Sequence, residues 1–484
     1  MTKWEMLIGA NWVEGEGPAV PVENPATGEV IGHVSGATKA QLDQAIQAAR
    51  QAFPGWAALT GAQRAVYLQR LALCLSERVD SIARLMTMEQ GKPLNESRGE
   101  IEKLAKAMEF YAEEAKRING EIIPNDSNDY QSLVLREPVG VVAAITPWNY
   151  PAELIGWKLG AALAAGCTIL IKPPELTPFS PLAIAQAVFD SGIPPGVVNM
   201  VTGKGSFVGQ HMVESPLVDK IAFTGSSGVG LKIQQSCTTV RRMSLELGGN
   251  CPMIITDSAD LDAAAKGAAR RSFRNMGQIC IAINRIYVSQ ALYEPFLEKL
   301  AQAANALVIA NGLEVPGADL GAMASAEPLH KTKEHLTDAL AKGARLVCGG
   351  SAPEGEKFSR GYFFKPTVLA DCTHEMQVMT EETFGPLVGV APFTKLSEAV
   401  AKANDTIFGL AAYVYTKNLD DMRYLTSHLD YGNVAVNNVD AGIINAPYGG
   451  RKQSGVGYEH GREGMLEYLN FKHVRLCYAA PEHI

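Results

Sequence analysis

The chain has 484 residues, 47% of them hydrophobic and 19% charged, with a formal net charge of -8. That length exceeds what one hydrophobic core organises and implies two or three domains. With no basic cluster anywhere in the sequence, the charge balance argues against nucleic acid as a partner, because phosphate binding needs concentrated Lys and Arg. The eight cysteines, Cys74, Cys167, Cys237, Cys251, Cys280, Cys348, Cys372 and Cys477, are scattered without a C-x-x-C pair or a His-rich neighbour. They read as reduced thiols with no metal site. The opening MTKWEMLIGANWVEGEG has acids and Gly where a signal peptide needs a basic start and an apolar run. The longest mostly apolar stretch, Leu159 to Ile171, is too short and too rich in Ala and Gly to span a bilayer. A cytoplasmic protein without a membrane partner is expected.

In chain order, Thr38 to Arg117 reads as helices, because apolar residues recur at spacings of three and four among Gln, Arg, Glu and Lys, as in LDQAIQAARQAF and RLALCLSERVDSIARLM. Their charged faces are expected to be solvated. From Val139 the pattern changes. GVVAAITP, CTILIKPP, VVNMVTG and DKIAFTG are short β-rich runs ending in Pro or Gly, with helical stretches such as PLAIAQAVFDSG between them. Strands alternating with helices imply right-handed crossovers and an open parallel α/β sheet. Ligands of such sheets collect at the carboxyl ends of strands, where Asn149, Lys172 and Gly225 fall. A second α/β series follows. MIITDSADLDAAAKGAARRSF reads as strand, turn and helix with Asp257 and Ser258 as caps, and RIYV, RLVCGG, FFKPTVL, GPLVGVAPF, LAAYVYT and GNVAVNN read as further strands. QSLVLREP (Gln131–Pro138) and EYLNFKHVRL (Glu467–Leu476) stand outside both series, and as isolated strands they need partners, which implies a small shared sheet used for association.

Five stretches carry candidate chemistry. In SFRNMGQICIAINRIYV, Cys280 follows the small, flexible Asn275–Gln278 run, which suits a nucleophilic thiol that substrate must reach; the alternative is a small buried hydrophobe. In FTGSSGVG, Gly225 and Gly230 flank Ser226 and Ser227 between a strand and a helix, so backbone amides and a helix N-terminus face a phosphate, or else form an ordinary tight turn. Lys172 and Glu175 follow the strand CTILI. Lys172 can hold a ribose hydroxyl, and Glu175 can accept both adenosine ribose hydroxyls while repelling a 2′-phosphate, which favours NAD over NADP; the alternative is a solvated pair. Glu246, between Leu245 and Leu247 and ahead of two glycines, is either a desolvated general base or a structural partner. Asn149 in a Pro-bracketed loop is either an oxyanion donor or a turn former.

Taken together, FRNMGQIC, LELGG, TPWNYP, KPPELTP, Gly225 to Gly230 and EETFGP (Glu381–Pro386) resemble the NAD(P)-dependent aldehyde dehydrogenase superfamily, in its succinate-semialdehyde dehydrogenase-like branch. The resemblance runs from NPATGEV to SGVGYEHGREG, nearly the whole chain. It implies a dinucleotide-binding domain over residues 1–121 and 140–247, a catalytic domain over 248–450, and oligomerisation strands over 122–139 and 464–484, in a homodimer or homotetramer. It also implies roles: Cys280 as nucleophile, Glu246 as general base, and Asn149 with the Cys280 backbone N–H as oxyanion hole. Cofactor contacts are implied at Ile145, Thr146, Pro147, Trp148, Lys172, Glu175, Gly225, Ser226, Gly230, Leu247, Glu382 and Phe384, and a proton relay at Lys158 and Glu459. No metal is required. The presence of Glu246 favours hydrolysis over transfer of the acyl group to coenzyme A.

The implied substrate contacts are Tyr150, Trp157, Arg274 and Tyr448. Arg274 matches a position that in succinate-semialdehyde dehydrogenases helps bind the distal carboxylate, and a guanidinium suits an anionic group; the alternative is a structural ion pair. Those enzymes resemble one another in carrying a second arginine where this chain has Trp157, and Trp157 with Tyr150 resembles the aromatic tunnel of enzymes for less polar aldehydes. The expected activity is NAD-dependent oxidation of a small acidic or hydroxylated aldehyde. The alternatives are a broad dehydrogenase for neutral aldehydes, and a protein that keeps the fold without the activity.

Overall fold

A computed structural model describes residues 4–315 and 317–478. The chain opens with four short strands, β1 (Met6–Ile8), β2 (Asn11–Val13), β3 (Ala19–Asn24) and β4 (Glu29–Ser35), and then four helices, α1 (Lys39–Ala57), α2 (Gly61–Ser76), α3 (Val79–Gln90) and α4 (Leu94–Ala115). Capping boxes start α1 and α2: the hydroxyls of Thr38 and Thr60 accept the backbone N–H of Gln41 and Gln63, whose side chains accept in return. Next come β5 (Glu121–Ile123), β6 (Tyr130–Pro138), β7 (Val141–Ile145), α5 (Glu153–Ala165), β8 (Thr168–Lys172), α6 (Phe179–Asp190), β9 (Val198–Met200), α7 (Gln210–Glu214), β10 (Lys220–Thr224), α8 (Ser227–Ser236) and β11 (Arg242–Glu246).

The second series holds β12 (Cys251–Ile255), α9 (Leu261–Phe273), β13 (Ile283–Ser289), α10 (Tyr293–Asn305), α11 (Ala326–Ala341), β14 (Arg345–Cys348), β15 (Thr367–Ala370), α12 (Gln377–Thr380) and β16 (Leu387–Phe393). It continues through α13 (Leu396–Asn404), β17 (Phe408–Gly409), β18 (Ala411–Tyr415), α14 (Leu419–His428) and β19 (Asn433–Val436) to β20 (Arg451–Lys452), β21 (Gly455–Val456), α15 (Gly461–Leu466) and β22 (Leu469–Cys477).

These elements form the two open α/β sheets expected. The first runs β2-β1-β9-β8-β7-β10-β11-β21, parallel from β9 to β11 with antiparallel edges. The strands β7, β8 and β10 are buried along their whole length, which is why they read as continuous apolar runs. Their order reverses between β7 and β10, the crevice where open sheets take ligands. The register pairs Ile145 with both Lys172 and Phe223, and Thr224 with Glu246, so these residues share one edge of the sheet. The second sheet runs β14-β15-β16-β13-β12-β18-β19, with only β14 antiparallel. A third, antiparallel sheet joins β22, β6 and β5. It contains both stray stretches, although the pairing starts at Tyr130 and Leu469, and residues 479–484 of the expected association segment lie outside the described residues.

The chain leaves the first sheet for the second at Leu247 to Asn250 and returns at β21, which pairs with β11. Ser454 makes that return: its carbonyl accepts the Leu247 N–H at 2.9 Å, and its hydroxyl donates to the Gly248 carbonyl at 2.7 Å while accepting the Gly409 N–H at 2.9 Å.

Two expectations are corrected. The charged residues of the early helices are not all solvated: Arg64, Glu89, Lys92, Glu96 and Glu100 are buried, because these helices pack against the first sheet and its loops on more than one side. The cap of α9 is Asp260, whose carboxylate accepts the Ala263 N–H at 3.1 Å, rather than Asp257 or Ser258. The Ser258 hydroxyl instead accepts the backbone N–H groups of Lys417 and Asn418.

Candidate active site

Cys280 lies on the turn between α9 and β13. After α9 the backbone takes three successive left-handed residues, Asn275 (φ 48), Met276 (φ 57) and Gly277 (φ 70), which reverse its direction within one short turn. Side-chain amides lock the reversal. Gln278 Nε2 donates to the Asn275 carbonyl at 2.9 Å, and Gln278 Oε1 accepts the Ala324 N–H at 3.0 Å. The loop after β7 is tied to the same turn: Asn149 Nδ2 donates to the Gln278 carbonyl, and Asn275 Nδ2 to the Asn149 carbonyl, both at 3.0 Å. Gly249 completes the seat, since a Cβ there would stand 2.1 Å from the Cys280 carbonyl oxygen. Cys280 and Asn149 thereby line one cavity of about 330 Å³.

Cys280 is half-buried and lines that cavity. Burial pushes its pKa up to about 12, against the hydrogen bond from the Tyr448 hydroxyl, 3.6 Å from Sγ. Glu246, at the end of β11, is buried with neither carboxylate oxygen hydrogen-bonded. Burial, then the nearby Glu459 charge, raises its carboxyl well above the ordinary range, with Lys158 opposing. Lys158 is fully buried on α5 and donates to Thr224 Oγ1 at 2.6 Å and Glu459 Oε1 at 2.5 Å. Glu459 Oε2 is likewise buried and without a partner. Glu246, Lys158 and Glu459 stand behind the cavity wall formed by Thr224 and Tyr448 rather than in it.

The expected cofactor contacts divide in two. Pro147, Trp148, Gly225, Ser226, Leu247, Glu382 and Phe384 line the cavity, whereas Ile145, Thr146, Lys172, Glu175 and Gly230 do not. Phe384, itself left-handed at φ 57, sets its ring edge-on to Trp148 with centroids 5.4 Å apart. Glu382 accepts the Gly249 N–H at 2.9 Å, and burial lifts its carboxyl to about 7. Ser226 caps α8 by accepting the Val229 N–H, and a Cβ on Gly230 would come within 2.4 Å of Leu247, so this glycine lets the helix end settle on the strand end. Lys172 is buried, which lowers its ammonium pKa. Its Nζ lies 3.6 Å from Glu175 Oε1, which also accepts the Gly205 N–H at 2.5 Å. A capped helix N-terminus, a close glycine seat and carboxylates at the strand edge fit a dinucleotide.

The other end of the cavity is aromatic and charged. Trp157 packs edge-on against His460 with centroids 4.1 Å apart and lies 5.7 Å from Tyr448. His460 donates Nδ1–H to the Ile443 carbonyl, and burial lowers its pKa to about 3, so the imidazole is neutral. Arg274 lines the cavity while its Nε donates to Glu96 Oε1 at 2.9 Å, so the structural ion pair considered for it exists alongside its place in the wall. The Tyr150 ring belongs to the wall, but its hydroxyl is committed to the same Glu96 oxygen at 2.8 Å. Glu96, Lys103, Arg271 and His460 were absent from the residues singled out in the sequence. Only Glu96, four residues before Glu100 on one helix face, carried a periodic signal, and a helix of that composition reads as solvated. Among the described residues no group of three or more His, Cys, Asp or Glu is arranged to hold a metal ion, and no helix is long and apolar enough to cross a membrane.

A reversed-order parallel sheet with a dinucleotide-shaped edge, and a thiol held across the crevice from it, define an α/β oxidoreductase. The model of the aldehyde dehydrogenase family matches residues 12–474, and the chain belongs to that family. It is 45% identical over 475 residues to the NADP(+) succinate-semialdehyde dehydrogenase GabD of Escherichia coli K12, covering 97% of each chain. It is 44% identical to the glutarate-semialdehyde dehydrogenase of Pseudomonas putida, again over 97% of each. Its fold superposes on the crystal structure of an aldehyde dehydrogenase from Brucella melitensis biovar abortus 2308 with a TM-score of 0.96, at 44% identity and covering 99% of this chain and 98% of that one. The protein is therefore an enzyme that oxidises an aldehyde to its acid with a nicotinamide dinucleotide.

Proposed function

We propose that the protein oxidises a small aldehyde bearing an anionic or hydroxylated far end, by hydrolysis of a cysteine-bound thioester, and that it prefers NAD to NADP. The observation that carries the substrate class is the Arg274 guanidinium in the wall of the cavity that also holds Cys280. A guanidinium there matches carboxylate geometry. The two relatives named above act on semialdehydes of succinate and glutarate, both acid-bearing.

The chain's residues perform the chemistry as follows. The Cys280 thiol, protonated at rest, gives up its proton towards Glu246 as sulfur bonds to the carbonyl carbon. The Asn149 amide and the Cys280 N–H hold the resulting oxyanion of the thiohemiacetal. Lys172, Glu175, Ser226, Glu382 and Phe384 would hold NAD, which would supply the acceptor for the hydride leaving this carbon. A thioester on Cys280 remains. Glu246 takes a proton from water as the water attacks that thioester, releasing the acid and regenerating the thiol. Lys158 and Glu459 form the relay that carries the thiol proton from Glu246 out to solvent before the water attacks, and the proton then taken from that water returns to the departing sulfur. The Glu175 carboxylate, beside Lys172, repels a 2′-phosphate, which supports NAD although the E. coli relative is an NADP enzyme.

Residues 1–121 and 140–247 then form the dinucleotide domain and 248–450 the catalytic domain, with 122–139 and 464–484 the segments through which copies associate as a dimer or tetramer in the cytoplasm, the described strand of the second being Leu469–Cys477. A second reading, a broad enzyme for neutral aldehydes, is favoured by the Trp157, Tyr448 and His460 wall. Steady-state reduction of NAD and of NADP with length-matched acidic and neutral aldehydes separates these readings. The expected result is a higher kcat/KM for acidic aldehydes with NAD, lowered about tenfold or more by Arg274→Ala for the acidic series alone. Equal loss in both series would contradict the assignment of Arg274, and faster reaction with NADP that of Glu175.

A further inference from the structure

Three cations in the wall of the cavity each have an acid partner: Lys103 with Glu153 at 3.2 Å, Arg271 with Asp440 at 2.9 Å, and Arg274 with Glu96 at 2.9 Å. The third pair differs in burial. The Glu96 side chain is 7% exposed, against 15% for Glu153 and 53% for Asp440, so water screens its charge least. Glu96 is also the only one of the three acids that acts from the first turn of α4, a helix whose face towards the crevice carries Glu96, Glu100 and Lys103 at helical spacing. Glu100 fixes that face: its Oε1 accepts the N–H groups of Ala152 and Glu153. Its Oε2 pairs at 2.6 Å with Lys92, which donates in turn to the Asn149 carbonyl at 2.7 Å. Glu96 therefore sits on a rigid mount.

We propose that Glu96 is the residue that sets selectivity at the acid-binding end of the cavity, by holding Arg274 edge-on and cancelling part of its charge. This rests on the reading that the cavity takes anionic aldehydes. Because Glu96 occupies Nε, it leaves the outer fork, Nη1 and Nη2, for a second acceptor, and a fork of that shape takes the two oxygens of one acid group. A guanidinium already shared with one carboxylate attracts a second acid less strongly than a bare one, so the pair suits a short aldehyde with a single carboxylate or similar monoanion at its far end. The Tyr150 hydroxyl, donating to the same Glu96 oxygen, keeps that carboxylate in place. Glu96 is a positioning residue: it acts on the substrate through Arg274.

The test compares kcat and KM of the wild type, Glu96→Gln and Glu96→Ala for two aldehydes of equal length, one ending in a carboxylate and the other in its methyl ester. Gln keeps the acceptor and removes the charge, so the acid-to-ester ratio of kcat/KM should rise about five- to tenfold, through KM rather than kcat. Ala removes the restraint, and the ratio should fall about tenfold as Arg274 leaves its pose. Opposite shifts support the proposal, since a purely structural role would move both variants the same way. If both shift the ratio in one direction, or leave it unchanged while the wild type prefers the acid, Glu96 does not set selectivity and the substrate reading stands. If the wild type shows no preference and Glu96→Gln acquires one, the restraint on Arg274 is supported and the substrate reading falls. No preference in either overturns both.

Discussion

A thiol raised to about 12 by burial is almost wholly protonated at neutral pH, so Cys280 needs a nearby base before it can act as a nucleophile. Two carboxylates act on its charge, Glu382 and then Glu246, and Glu246, itself raised by burial and by Glu459, is the one with neither oxygen hydrogen-bonded. The sign of the pH dependence follows. A raised carboxyl stays neutral where a free glutamate is ionised, so turnover should rise with pH across an acid limb above the ordinary carboxylate range. Glu246→Gln should flatten that limb and lower kcat about 10²- to 10⁴-fold. Mass spectrometry of wild-type reactions quenched during turnover should find the acyl group on Cys280; an unmodified cysteine, together with a Cys280→Ala variant that still oxidises aldehyde, would refute the thioester route. Cys280, Glu246 and Asn149 became candidates only when their motifs were taken together, since each local setting of Gly, Pro or paired Leu also suited a structural residue. Glu96 and His460 were not, since a glutamate on a charged helix and a histidine in a Gly-rich segment look the same whether they face water or a cavity.

Single helices carry more than their amphipathic pattern shows. The N-terminus of α6 has no side-chain cap of its own and takes one from α3: Glu89 accepts the N–H groups of Phe179 at 2.7 Å and Ser180 at 2.8 Å, and also the Ser180 hydroxyl. Complete burial outweighs those bonds and lifts the Glu89 carboxyl from 4.5 to about 8. A folded-state pKa above the unfolded one means that the stability Glu89 contributes is fully present below about pH 4.5 and is lost as pH rises through about 8. Glu89→Gln removes that proton exchange. The melting temperature of the variant relative to the wild type should therefore be higher at pH 8.5 than at pH 5, and a difference independent of pH would show that Glu89 keeps the same protonation in both states. The sequence pattern located α1 to α4 because three- and four-residue spacing survives in any helix with one buried face. It did not locate β1 and β2, whose three residues each leave no period to count, nor β3 and β4, which are mostly exposed or half-buried and show no continuous apolar run.

At the scale of the molecule, both large sheets were legible because buried parallel strands concentrate apolar β-formers, and the small third sheet because its strands belonged to neither series. That third sheet keeps Ile122, Leu135 and Phe471 exposed, at 71%, 40% and 59%, with the Arg136 guanidinium 3.6 Å above the Phe471 ring. Ile122 and Leu135 share one face of that sheet and Phe471 lies on the other, and exposed apolar groups of this kind would be the association surface of the proposed oligomer. Phe471→Asp should shift sedimentation to a smaller species, and an unchanged sedimentation coefficient would place the interface elsewhere. What no local pattern announced is the way Ser454 ties the two halves together: it clasps Leu247 and Gly248 from more than 200 residues downstream. The strand end that carries Glu246 is thus clasped by a segment made more than 200 residues later in the chain. In renaturation from urea, ellipticity should return well before turnover, and a nascent chain halted ahead of that serine should be helical yet inert, protected from reacting with cellular aldehydes until the later segment is made.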